Sequence, residues 1–121
     1  MDELQEKGLY ETIADIAAEE WRFRNVFFRA IISLPTSEQK KYRSRYTWFS
    51  KKVGAAVEQA GLRVVSLEGQ LFDIGMAARP LNIDDFEPDA SLYVEQMVEP
   101  IIMKGDSILR TGVVILERAE R

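Results

Sequence analysis

Apolar residues recur at three- and four-residue steps over the first half of the chain, then give way to a shorter period after Gly61. From Asp2 to Leu34, the positions Leu9, Ile13, Ile16, Phe23, Phe27 and Ala30 mark one side of a helix, the pattern expected of an amphipathic α-helix. Ala17, Trp21 and Val26 widen that side, while Glu6, Lys7, Glu11, Asp15, Glu19 and Arg22 populate the other. Pro35 stops the helix, because proline is excluded from a helix interior and drives Leu34 toward extended geometry. Thr36 followed three residues later by Gln39 has the spacing of a capping box and predicts a second helix start. That helix carries Tyr42, Tyr46, Phe49, Val53, Ala56 and Ala60 at helical steps and ends at Gly61, where positive φ is allowed. A connection this short makes the two helices antiparallel.

Apolar faces this wide need more cover than two helices give each other. The expected solution is a homodimer in which two hairpins close a four-helix bundle under two-fold symmetry. Its dimerisation residues would be Ile13, Ile16, Phe23, Phe27, Tyr46, Phe49 and Val53.

Beyond Gly61 the pattern is that of short strands. Leu62 to Leu67 reads as β, Glu68-Gly69-Gln70 as a turn, and Leu71-Phe72-Asp73 as a further extended piece. Residues 75–90 look irregular, with Pro80, Pro88 and the acidic run Asp84-Asp85-Phe86-Glu87. Leu92 to Val98 alternates between two faces. Ile101 to Met103 and Ile108 to Leu116 add two extended segments around the turn Lys104-Gly105-Asp106. The expected architecture is therefore α+β: an N-terminal antiparallel helical hairpin over 1–61 and a small all-β domain of short strands over 62–121.

Composition narrows the chemistry. Of 121 residues, 46% are hydrophobic and 30% charged, the balance of a globular chain. There is no Cys, which excludes disulfides and zinc held on sulfur, and no His, which removes the commonest general base and metal ligand. The longest apolar runs fall far short of the ~20 residues of a membrane helix, and the N-terminus is acidic where a signal peptide would be basic. A cytoplasmic protein with no membrane partner is expected. A net charge of −4 argues against a dedicated nucleic-acid binder.

Two clusters invite a sharper reading. Lys40, Lys41, Arg43, Arg45, Lys51 and Lys52 interleave with Tyr42, Tyr46, Trp48 and Phe49, a mixture that serves nucleic acids in some proteins. The aromatics are at helical spacing and are claimed by the bundle, so a solvated basic face is the simpler account. Asp84, Asp85, Glu87 and Asp89 lack the ligand spacing of a calcium loop, and no glycine pattern cradles phosphate. What remains is interaction chemistry, with Phe86, Tyr93, Met97 and Met103 as adaptable anchors or as core.

The order of segments carries a resemblance. Ala60-Gly61-Leu62-Arg63-Val64-Val65 is followed by Gly69-Gln70-Leu71-Phe72-Asp73-Ile74. Later, Leu92 to Pro100, Ile101 to Gly105 and Leu109-Arg110-Thr111-Gly112-Val113-Val114-Ile115-Leu116 follow at similar spacing. From Tyr46 to Arg121 this resembles the C-terminal half of GrpE, the nucleotide exchange factor of DnaK-type heat-shock chaperones. That family reads Gly-x-x-Phe-Asp-Pro where this chain has Ile74 in place of the proline. It has a His-containing stretch where this chain has Gly75 to Ala78, and Gly-Tyr where this chain has Glu99-Pro100. The first helix here is also shorter than the family's.

The resemblance implies a dimeric co-chaperone that needs no cofactor and is not an enzyme. Its β-domain would bind the nucleotide-binding domain of a DnaK-type chaperone and promote ADP release. The partner surface it implies is Met76, Phe86, Lys104, Asp106, Arg110 and Leu116. A divergent adaptor of the same fold without exchange activity is the alternative.

Overall fold

Asp2 starts the first helix in the computed structural model, which describes residues 2–119. Its carboxylate accepts from the Gln5 backbone N–H at 2.8 Å, while the Gln5 side chain accepts from the Asp2 N–H at 3.2 Å. This reciprocal pair satisfies two donors that a helix start leaves open. Helix α1 runs Glu3–Ile31 and α2 runs Thr36–Gln59. Contacts between Glu20 and Tyr46, and between Phe27 and Tyr42, set the two helices antiparallel as a hairpin.

The joint differs from the expected one. Pro35 is the N-cap of α2, Thr36 is already helical, and no side chain caps that end. Gln39 instead turns back, donating from its side-chain amide to the carbonyls of Ile32 at 2.9 Å and Leu34 at 2.7 Å. It satisfies acceptors after α1 rather than donors at the start of α2. At the far end Gly61 takes φ +89°, and its N–H reaches the Glu58 carbonyl, the left-handed stop that glycine permits.

The chain divides into two compact units between Arg63 and Val64. In the hairpin, Ala14, Ala17, Ala18, Ile31, Tyr46 and Val57 are buried. Among the described residues, the part after Gly61 holds six strands: β1 (Leu62–Val65), β2 (Ala78–Pro80), β3 (Leu92–Glu99), β4 (Ile101–Lys104), β5 (Ser107–Arg110) and β6 (Gly112–Arg118). They form two three-stranded sheets, ordered β1-β4-β5 and β2-β6-β3. The segment expected as one strand from Ile108 to Leu116 is thus cut at Thr111, and its halves serve different sheets.

β6 lies between parallel β2 and antiparallel β3. A central strand covered on both faces accounts for its unbroken run Val113-Val114-Ile115-Leu116. The short strand β2 falls inside the stretch that reads as irregular. Pro80 is tolerated there because β2 is an edge. The Asn82 side chain then extends the pairing, donating to the Leu116 carbonyl at 3.0 Å and accepting from its N–H at 2.9 Å.

Candidate protein-interaction surface

A chain of ring contacts crosses the hairpin. Phe23 stacks on Phe27 at 5.6 Å between centroids, Phe27 on Tyr46 at 5.9 Å, and Tyr46 meets Phe49 at 6.3 Å. Phe28 adds an edge contact to Tyr46 at 5.2 Å. At the centre the Tyr46 hydroxyl donates to the Glu20 carboxylate at 2.7 Å. Burial of the phenol, reinforced by that carboxylate, pushes its pKa well above the ordinary tyrosine value.

The two ends of this chain of rings are uncovered. Phe23 keeps 52% of its surface exposed and Phe49 46%. Leu9, Ile16 and Phe23 follow one another at seven-residue steps on α1, all exposed, so they lie on one side of the helix. At 100° per residue in antiparallel helices, that side and the Phe49 side of α2 are the same flank of the hairpin. Of the expected dimerisation residues, Ile16, Phe23 and Phe49 therefore lie open on this flank. Ile13, Phe27 and Val53 are half-buried. Tyr46 is buried within its own hairpin and is structural rather than available to a second copy.

In the β-rich unit, the segment Gly69–Asp73 runs along the free edge of β3. The Gly69 N–H donates to Val94, Val94 donates back to Gln70, and Phe72 donates to Leu92, all at 2.8–2.9 Å. Gly69 turns into this edge at φ +87°. Phe72 is half-buried, and beyond it Leu71 and Ile74 point outward, Ile74 at 91% exposure. This apolar tip was not marked by periodicity, since a single isoleucine in a turn has none.

The six expected partner residues do not form one patch. Met76 and Arg110 border the start of β6, whereas Phe86 lies near its end, roughly 20 Å along the strand. Phe86 has the Arg118 guanidinium 5.8 Å from its ring centroid, and Arg118 pairs with Glu87 at 2.8 and 3.1 Å. The Glu87 carboxyl is held below its usual range by its own backbone N–H and by that cation. Lys104 and Asp106 sit exposed on either side of Gly105 at the β4–β5 turn. Leu116 is 1% exposed: it belongs to the core because β6 is central, and it is withdrawn from the partner surface. Of the anchor candidates, Met97 is fully buried, while Tyr93 and Met103 are half-buried.

Among the described residues, no cluster of acidic side chains could hold a metal ion, and no helix is long and apolar enough to cross a membrane. No family model matches the chain, and no curated protein or solved structure matches it.

Proposed function

We propose that this chain is a homodimeric, GrpE-like exchange factor that binds the nucleotide-binding domain of a DnaK-type chaperone and promotes ADP release. One observation carries the reading. The hairpin keeps an apolar flank open for a second copy, and the sequence then continues into a small β-rich unit with the Gly69–Asp73 motif of the resemblance ordered on its edge. Leu9, Ile16, Phe23 and Phe49 close against the same residues of the partner copy, as an isologous interface requires. The exposed Leu71 and Ile74 are the anchors offered to the chaperone.

Exchange then needs no chemistry from this chain. It binds the opened, ADP-poor state of the chaperone better than the closed state, and the equilibrium follows. Linkage makes this testable by titration: ADP must weaken binding of this chain by the factor with which this chain weakens ADP, typically about 5- to 150-fold. Calorimetric affinities for the isolated nucleotide-binding domain, with and without ADP, should differ by such a factor. Equal affinities would sink the proposal. Ile74→Asp is expected to remove more than about 1 kcal/mol of that binding.

A second reading, an adaptor without exchange activity, is favoured by Ile74 itself. An exposed isoleucine where the family has proline offers a different surface to a partner. A specific protein captured by the wild type and lost with Ile74→Asp, with ADP release unaltered, would decide for it.

A further inference from the structure

Between Gln39 and Val57 the chain holds six cations and no carboxylate, leaving ten cations against twenty carboxylates elsewhere. All six, Lys40, Lys41, Arg43, Arg45, Lys51 and Lys52, are exposed on α2. Among the described residues, none of them is in an ion pair. Tyr46 marks the inward direction of α2 through its bond to Glu20. Relative to it, Lys40, Lys41, Trp48, Lys51 and Lys52 project roughly 120–160° away. The two lysine pairs are eleven residues apart, three turns or about 16 Å along the axis, with Trp48 between them.

Trp48 changes the meaning of this stripe. As a bundle-filling aromatic it would leave the cations as ordinary solvated charge. It is instead 65% exposed, with the Lys52 ammonium 5.5 Å from its ring centroid. Two grooves that share Ser44 run along α2 here. One is lined by Thr36, Gln39, Lys40, Arg43, Ser44 and Thr47; Gln39 and Thr47 already donate to backbone carbonyls, and the Lys40 and Arg43 cations are the groups that suit phosphate oxygens. The other is lined by Ser44, Arg45, Trp48 and Phe49, an aromatic and guanidinium wall that suits the face of a base.

We infer that the outer face of α2 binds single-stranded nucleic acid without sequence preference, through its phosphates on the cation stripe and one base stacked on Trp48. The negative net charge does not oppose this, because the field that a strand meets is local to α2. An anionic membrane fits less well, since it needs a wide apolar face to bury and this one offers only Trp48, with Phe49 at its border. The lysine stripe lies on the side of α2 away from Tyr46, the groove beside Trp48 borders the hairpin's open flank at Phe49, and the proposal does not rest on the chaperone reading.

Fluorescence anisotropy of a labelled oligothymidylate of about twenty nucleotides, titrated with the full chain over a salt series, tests it. Binding should weaken with salt, with a log–log slope of about −3 to −4 for four to six phosphates neutralised. The combined K40Q/K41Q/K51Q/K52Q variant should lower the slope's magnitude by about 3 while keeping the wild-type circular dichroism. Trp48→Ala should weaken binding about fivefold or more with the slope unchanged. No binding at low salt, or retention by the folded lysine variant, overturns the proposal. So does equal affinity for a duplex with Trp48→Ala neutral, or stronger capture by phosphatidylserine vesicles than by the oligonucleotide.

Discussion

Tyr46 shows how much a single side chain carries in a small hairpin. Its ring joins Phe27, Phe28 and Phe49, and its hydroxyl satisfies the Glu20 carboxylate. Tyr46→Phe keeps the ring and removes the bond, at a cost of about 0.5–1.5 kcal/mol. The pH dependence has a definite sign. The folded pKa lies above the unfolded one, so the contribution is full below about pH 10 and is lost as pH rises through the folded value. Urea unfolding followed by circular dichroism from pH 8 to 11 should show a loss of stability that Tyr46→Phe reduces. Gly112 is a second such position. A Cβ there would meet Met97 Cε at 2.7 Å, Ile101 Cγ1 at 3.0 Å and the Glu99 carbonyl at 3.2 Å. Gly112→Ala should therefore cost about 1–3 kcal/mol by overpacking, read as a lower urea midpoint.

Among elements, both helices and the change to short strands after Gly61 were legible, because helical periodicity and the left-handed stop are local signals. The joint was not. Thr36 and Gln39 have capping-box spacing, yet Pro35 occupies the cap and frees Gln39 to bind the Ile32 and Leu34 carbonyls. Gln39→Ala should cost about 1 kcal/mol of stability, whereas Thr36→Ala should leave it nearly unchanged. A thermal melt of each variant separates the two accounts. β2 is not legible because a three-residue parallel edge strand ending in proline has no periodicity, and its pairing is extended by Asn82 through a contact 34 residues distant in sequence. The split at Thr111 is tertiary for the same reason: it shows in the different sheet partners of Arg110 and Gly112. The candidate surface was half legible. Exposed hairpin positions follow from the helical period, but the assignment of Leu116 as surface or core depends on what covers β6.

At the scale of the molecule, the account requires a dimer through the open flank of the hairpin. Phe23→Glu and Phe49→Glu alter exposed side chains, so each should halve the mass seen by light scattering while preserving helicity. Phe27 is less informative, since its ring is also part of the hairpin's own packing. In the proposed function such a dimer acts on the chaperone by differential binding. Release of a fluorescent ADP analogue from a co-resident DnaK-type chaperone, with and without this protein, tests that claim most directly. The account predicts release accelerated by the wild type and markedly less by Ile74→Asp. Release at the same rate with saturating wild-type protein would contradict it.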